Sequence, residues 1–245
     1  METNLLIECE VNGIQVPSFH FKETELVACY RALTNLRNLL FQEHMLELLQ
    51  DQIDEGTKYF ESLLAASNHQ YTESATHMTV NGLSAREFRS MTGRWYKTQP
   101  LDWMAFRYVF PAHPAVYTVL CETDKNTEYE ALGKVQMIGD HMAKLWVVDP
   151  TRSLEIIPEW LTALHNPRYE MKDYSIVKLD SGSVFFYLMN EFTETEDGCK
   201  IRLRAFFPSA SPASLVSQYA LHQAIDYRNL LCMVQTVVEA EQDSY

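Results

Sequence analysis

A chain of 245 residues, 47% of them hydrophobic and 22% charged, can bury a sizeable core and is not typical of a disordered protein. It has only 8 Gly and 9 Pro, and neither nucleotide-binding pattern, G-x-G-x-x-G or G-x-x-x-x-G-K-[ST], occurs. With 33 acidic and 20 basic residues the formal net charge is −13, and no basic stripe is present. We therefore expect neither nucleic acid nor an anionic membrane as a partner.

The first ten residues, METNLLIECE, are acidic where a signal peptide needs positive charge. No apolar run reaches the roughly 18 residues of a transmembrane helix. These features predict a soluble, cytoplasmic protein without a membrane partner. The five cysteines are widely spaced and odd in number, which predicts reduced thiols in the core.

The N-terminal region carries a helical pattern. Apolar residues recur at helical spacing from about Thr24 to Ala66, and Gly56 is predicted to divide this segment into two helices. An extended piece from Leu5 to Phe19 precedes them. We therefore predict a helical N-terminal subdomain over residues 1–70. Its apolar stripe either pairs with a second copy in a homodimer or packs on its own domain, and the sequence leaves both open.

Residues 71–245 carry a different pattern, in which a strand, a helix and several short strands precede one long helix. Ser84 and Glu87 form a capping box that opens a helix ending near Tyr96. Another helical segment is predicted around Leu154–Leu164, and the last helix is predicted from Ser211 to Glu239. The predicted strands are Ala75–Val80, Met104–Phe110, Ala115–Cys121, Lys134–Ile138, Lys144–Val148, Tyr174–Leu179, Val184–Met189 and Cys199–Phe207.

This order predicts an α+β helix-grip fold, also called Bet v 1-like or START-like. In such a fold a curved antiparallel sheet wraps the last helix and encloses an apolar cavity. Turn sequences at Asp180–Ser183 and Asp197–Gly198 predict antiparallel neighbours for the last three strands. We expect function to reside where polar side chains of the helix and the strands face that cavity.

The last helix contains two possible metal ligands on one face. His222 and Asp226 are four residues apart, and Asn229 follows one turn later. An ordinary ion pair on the surface explains the same spacing, so both interpretations stay open at this point. His113, at the junction of two strand-like runs, is a further candidate, and a histidine that merely fills a turn is its alternative.

Several sequence blocks resemble one family of enzymes. They are GLSAREF at 82–88, RWY at 94–96, WMAFRYVFPAH at 103–113, EDGCKIRLR at 196–204 and LHQAIDYRNL at 221–230. In this order they are similar to blocks of the 2,4-diacetylphloroglucinol hydrolase and phloretin hydrolase family. The resemblance covers roughly residues 75–240, and it implies a Bet v 1-like catalytic domain after a helical N-terminal domain.

The same resemblance implies a divalent metal, usually zinc, held by two histidines and two glutamates. His113 and His222 match the histidines, whereas Asp226 and Gln136 stand where that family has glutamate. An amide oxygen is a poorer zinc ligand than a carboxylate. Three alternatives stay open: the two histidines and Asp226 hold the metal alone, the metal is lost, or a neighbouring carboxylate completes the site. The candidates for that carboxylate are Glu128, Glu130 and Asp140.

The leading functional hypothesis is a hydrolase that acts on carbon–carbon bonds in ketonic substances. It would cleave the acyl–aryl bond of a phenolic ketone or a related polyketide-like molecule. A metal-free cyclase or isomerase of a natural-product pathway and a non-catalytic carrier of an apolar ligand are the alternatives. The predicted catalytic residues are Tyr108 and Asp226. The predicted substrate-binding residues are Tyr108, Asn190, Arg204 and Tyr219, and the predicted metal ligands are His113, Gln136, His222 and Asp226.

Overall fold

The computed structural model describes residues 9–11, 14–123 and 130–242 of the chain. The chain divides into two compact units, Met1–Met45 and Leu46–Tyr245. The division falls earlier than the boundary predicted near residue 70, because the second half of the N-terminal helical pattern packs on the sheet of the second unit. Among the described residues, none of the helices combines the length and the apolar character that a membrane span needs.

The first unit contains a hairpin of β1 (Cys9–Val11) and β2 (Ile14–Val16), followed by α1 (Ser18–Leu39). Large apolar side chains of this unit are exposed, among them Leu39 at 74% and Leu26 at 54%. The helix ends before a break at 40–42, where Gln42 has a positive φ of 62°. The predicted homodimer through this region stays a prediction.

The second helix, α2 (Glu43–Ala66), contains Gly56 in its interior. The prediction that Gly56 divides two helices is therefore wrong, and packing gives the reason. A Cβ atom on Gly56 would lie 1.8 Å from the backbone oxygen of Met142, so only glycine permits this close approach of α2 to the sheet. Ile53 of the same helix packs with Val135 and Met142.

The second unit is built on one antiparallel sheet of seven strands. The strands are β3 (Tyr71–Asn81), β4 (Val116–Thr123), β5 (Glu130–Ile138), β6 (His141–Val148), β7 (Met171–Leu179), β8 (Val184–Thr195) and β9 (Gly198–Pro208). Their order across the sheet is β3-β9-β8-β7-β6-β5-β4. The last three strands are antiparallel neighbours, as their turn sequences predicted.

Besides α2, four helical regions of the described residues accompany the sheet. They are α3 (Ala85–Thr98), a continuous helical run over 101–112, α6 (Glu159–Ala163) and the long α7 (Ala213–Gln242). The run over 101–112 consists of α4 (Leu101–Trp103), a π-helix (Met104–Val109) and α5 (Phe110–Ala112). The capping box of Ser84 and Glu87 is present at the start of α3. The order of elements and the antiparallel sheet below a long C-terminal helix make this a helix-grip, Bet v 1-like fold.

The predicted strand Met104–Phe110 is wrong, because these residues are helical. Their aromatic and branched side chains have high strand propensity, but tertiary packing decides against it. The ring of Tyr108 packs edge-on against Trp95 and Tyr96 of α3, at centroid distances of 5.6 and 5.4 Å.

The two faces of the sheet carry different partners. On β9, Ala205 and Phe207 pack in the core beneath Tyr219 of α7, and we call this side the inner face. Phe206, between them, packs with Leu161 of α6 on the opposite side, the outer face. Because side chains alternate along a strand, this assignment places every second residue of β9 on the inner face.

Candidate metal centre

Three side chains from two elements converge on the inner side of the sheet. His222 and Asp226 lie one turn apart on α7, and His113 follows α5. Asp226 Oδ2 accepts hydrogen bonds from Nδ1 of His113 and from Nε2 of His222, the latter at 3.0 Å. We call these three residues the histidine–aspartate cluster. The helix spacing and the isolated histidine, which the sequence left as separate candidates, belong to one site.

The position of His113 is fixed by the helical run before it. Its backbone N–H donates to the carbonyl of Val109 at 2.7 Å, and Asn229 of α7 donates from Nδ2 to the carbonyl of Ala112 at 3.2 Å. The π-helix (Met104–Val109) widens the turn that leads into His113, and such turns are frequent at functional sites. Asn229, noted in the sequence for its spacing, therefore ties the His113 segment to α7.

The cluster has the donor set of a divalent metal site. One ligand atom from each of His113, His222 and Asp226 can be chosen so that all three lie within 4.8 Å of one another. The second carboxylate oxygen of Asp226, Oδ1, is buried and accepts no hydrogen bond from the described residues. Two imidazoles and one carboxylate are ligands that zinc uses in catalytic sites, and the unpartnered oxygen leaves further coordinating capacity. These residues fit a zinc-like ion.

Burial and mutual charges set the protonation states that such a site requires. Burial lowers the pKa of His113 to about 4, and the charge of Lys134 acts in the same direction. Burial acts to raise the pKa of Asp226, but the two imidazoles outweigh it and hold that pKa at about 2. At neutral pH, His113 is neutral and Asp226 is ionised, as metal ligands must be.

Tyr108, Tyr219 and Tyr227 lie near the cluster, and the first two were predicted to bind substrate. Tyr108 is buried, and burial raises its pKa well above the ordinary value, with the charges of neighbouring tyrosines and of Asp226 adding to the effect. Tyr219 packs its ring 5.3 Å from that of His222, and burial raises its pKa as well. These phenols therefore stay neutral and keep a proton to donate.

Sequence reasoning missed Tyr227, which adjoins Asp226 on α7. Its hydroxyl accepts a hydrogen bond from Nδ2 of Asn190 at 2.8 Å, and burial raises its pKa. The side-chain carbonyl oxygen of Asn190 is buried and has no hydrogen-bond partner within the described part of the chain. Asn190, which was predicted to bind substrate, therefore has an unused hydrogen-bond acceptor beside the tyrosines. The adjacency of Tyr227 to Asp226 was the available signal, but adjacent helix residues do not share a face.

Lys134 is the second residue that sequence reasoning missed. It lies on β5 opposite Leu145, a core residue of the inner face, and its charge acts on both His113 and Asp226. Burial lowers the pKa of its ammonium, and Asp226 opposes this. The two-residue separation from Gln136 was the available signal, because it places both side chains on one face.

Gln136 is buried on β5, opposite Val116 and Ala143. Ala143 belongs to the core of the inner face, so Gln136 points to the same side as the cluster. Its role as a metal ligand stays a prediction. Of the alternative carboxylates, Asp140 is exposed at a turn, while Glu128 and the side chain of Glu130 lie outside the described residues.

Arg204 lies on the outer face of β9, next to Phe206 in the alternation described above. Its guanidinium donates to both carboxylate oxygens of Glu73, at 2.6 and 2.9 Å, and to the carbonyl of Leu164 at 2.9 Å. The structure therefore does not bring Arg204 together with the other predicted substrate-binding residues. The hydrogen bonds from Arg204 lower the pKa of Glu73.

Three surface clefts of about 500, 530 and 480 Å³ occur in the described part of the chain. The first lies between α3 and the end of α7, the second between β3 and the start of α7, and the third beside Trp160. None of these three is lined by a member of the histidine–aspartate cluster. They are therefore separate from the candidate metal centre.

The cysteine prediction is confirmed for Cys199, which is buried, and wrong for Cys29 and Cys232, which are exposed. All three are free thiols. Burial raises the pKa of Cys199 to about 11, so it is not an activated nucleophile. The side chains of Cys9 and Cys121 lie outside the described residues.

No protein-family model matches the chain, and no curated protein matches its sequence. Among solved structures, it is similar to the crystal structure of Ara h 8.0201, with 8% identity and a TM-score of 0.37, over 69% of this chain and 99% of that one. It is also similar to the di-domain ARO/CYC StfQ from the steffimycin biosynthetic pathway, with 10% identity and a TM-score of 0.39. That match covers 73% of this chain and 55% of StfQ. At this degree of similarity, neither likeness bears on activity or ligand.

Proposed function

We propose that the protein is a divalent-metal-dependent hydrolase that cleaves the acyl–aryl carbon–carbon bond of a phenolic ketone. The observation that carries the proposal is the convergence of His113, His222 and Asp226, with an unpartnered Asp226 oxygen, beside neutral buried tyrosines. In the reaction, one water is consumed: the acyl carbon gains its hydroxyl and leaves as a carboxylic acid, and the ring carbon gains a proton.

The histidine–aspartate cluster would hold the ion, which when bound supplies Lewis acidity to polarise a carbonyl and to make water nucleophilic. The chain's own residues do the rest. Tyr108, neutral because of its raised pKa, donates a hydrogen bond to a substrate oxygen and holds a proton for the ring carbon. The unpartnered carbonyl oxygen of Asn190 accepts a hydrogen bond from a phenolic hydroxyl. The ring of Tyr219 forms part of the apolar wall of the site.

The test begins with metal rather than with turnover. Purified protein is dialysed against zinc, manganese or cobalt, and bound metal is measured by elemental analysis and by the visible spectrum of the cobalt form. We expect about one ion per chain. His113→Ala and His222→Ala should each weaken binding more than the roughly 10–100-fold that loss of an outer-shell partner costs. His77→Ala, at an exposed histidine on β3, is the matched control.

The activity test uses diacylphloroglucinols and phloretin as substrates, with the released phenol and acid quantified by chromatography. Turnover should depend on the added metal and should be lost in His222→Ala. A protein that binds metal at the cluster but turns over none of these ketones would refute the assigned reaction. A protein that binds no metal would refute the metal-dependent mechanism.

One observation favours a second candidate, a metal-free cyclase or isomerase. Asp226 already accepts hydrogen bonds from both imidazoles, and the positive charge of Lys134 acts on the same site, which disfavours a further cation. Such an enzyme would use the cluster for proton transfer alone. Activity on a polyketide-like substrate that survives exhaustive chelation, and is lost in Asp226→Asn, would distinguish it from the hydrolase.

A further inference from the structure

Lys134 is a half-buried residue whose ammonium the proposed mechanism does not use. Its partner across β6, Leu145, and its partner across β4, Val119, are both buried and apolar. Among the described residues, Lys134 makes no ion pair and no hydrogen bond. A charge placed among apolar side chains without a direct partner is costly, so it calls for an anion that is bound from outside the chain.

The surroundings of Lys134 show where that anion would lie. Gln136 lies two residues further along β5 on the same face. The charges of Lys134 and of Asp226, on α7, act on each other. Asp226 does not contact the lysine among the described residues: its Oδ2 bonds to the two imidazoles, and its Oδ1 has no hydrogen-bond partner. Lys134 therefore brings a positive charge to the β5 side of the cluster, and an oxygen anion is the ligand that this charge would attract.

We propose that Lys134 is the subsite for an anionic oxygen of the ligand, a phenolate or enolate, which it holds beside the histidine–aspartate cluster. The inference rests on the proposed function for the aromatic ring, but it does not depend on bound metal. It names the ionised form of the phenol as the species recognised. Lys134 is thereby a specificity-determining residue, which selects acidic phenols over their ethers.

The experiment uses 4-nitrophenol, whose ionised form absorbs at longer wavelength than its neutral form, and 4-nitroanisole, its neutral ether. The full-length protein is kept in chelator, so the result is independent of the metal site. We expect wild-type protein to bind nitrophenol as the phenolate at a pH below the phenol's own pKa, which the absorption band reports directly. Nitroanisole should bind more weakly.

Lys134→Met should weaken binding of the phenolate about tenfold or more, without changing the affinity for nitroanisole. Lys134→Arg, which keeps the charge, should restore most of the affinity and the phenolate band, and a merely structural role would not produce this rescue. Lys134→Gln is the second neutral variant if the methionine variant does not fold. Lys200→Met, at an exposed lysine of β9, is the matched control and should behave as wild type.

Two results would overturn the proposal. One is a Lys134→Met protein that binds nitrophenolate as tightly as wild type does. The other is a wild-type protein that binds nitrophenol only in its neutral form, or does not bind it. Absence of bound metal would refute the metal-dependent hydrolase and would leave these outcomes unaffected, so the two failures are distinguishable.

Discussion

The inner and outer faces of the sheet each hold a buried carboxylate next to histidine, and the two carboxylates differ in how well they are satisfied. On the outer face, Glu191 is fully buried and is bonded by Nδ1 of His165 at 3.0 Å, the backbone N–H of Asn166 at 2.8 Å and Nε of Arg202 at 2.5 Å. On the inner face, Asp226 leaves one oxygen without a partner.

The difference extends to the cations. Arg202 and Arg204 on the outer face are both paired with carboxylates, whereas Lys134 on the inner face has no direct partner among the described residues. A fully satisfied buried network fixes one packing arrangement and has no bonding capacity left for a ligand. A network with an unpartnered oxygen and an unpaired ammonium retains that capacity, which is why the inner face is the candidate site.

The largest expected effect breaks the outer network. Glu191→Ala leaves Arg202 without its carboxylate and should lower the free energy of unfolding by about 3–5 kcal/mol, because removing one partner strands a buried charge. Urea denaturation followed by circular dichroism measures it. Glu170→Ala, at an exposed glutamate nearby, should stay within about 0.5 kcal/mol of wild type. If both variants behaved alike, the outer network would not be stabilising.

The next effect is a pH dependence that originates on the inner face. The pKa of His113 is lowered from 6.5 to about 4 in the folded protein, so the unfolded chain binds the proton more readily. Stability is therefore highest above pH 6.5 and declines as the pH falls towards 4, by on the order of 2 kcal/mol between pH 7 and pH 5.

This decline is measured on metal-free protein by urea denaturation at several pH values. His113→Gln, which cannot take up the proton, should show a smaller decline over the same range. An equal decline in the variant would assign the pH dependence to other groups.

The smallest effect has the opposite sign. Lys134→Met replaces an unpaired, half-buried ammonium with an apolar side chain of similar length, and should raise the free energy of unfolding by about 1 kcal/mol. Thermal and urea unfolding of the metal-free protein measure it. A lower free energy of unfolding in the variant would mean that the lysine stabilises the fold. It would contradict the interpretation that the ammonium is kept in an unfavourable environment in order to bind a ligand.

Much of the fold was predictable, because local chemistry and tertiary structure agree over most of the chain. The capping box of Ser84 and Glu87, the turn at Asp197–Gly198 and the long helix after Pro212 all occur as predicted. Predictions failed where packing overrides local preference. Gly56 lies inside a helix, where its missing side chain lets α2 approach the backbone of Met142. Met104–Phe110 is helical although its residues favour strands.

The candidate site was predictable only in part. His222 and Asp226 share one helix, so their spacing of four residues was visible in the sequence. His113 was a candidate for its position between two predicted strands, and the family resemblance matched it to a ligand. The only local signal for Lys134 is its two-residue separation from Gln136, and the strand register was needed to place it on the inner face. Arg204 was predicted to bind substrate but lies on the outer face of the sheet. Only the alternation of side chains along β9 showed this.

The sequence by itself determined the order of elements and the residue types available for chemistry, because helix caps, turns and hydrophobic periodicity depend on near neighbours. The tertiary structure decided which side chains meet. His113 and Asp226 are separated by 113 positions, and their hydrogen bond exists because α7 crosses the end of the helical run over 101–112. Distances between elements depend on packing, which no local pattern encodes.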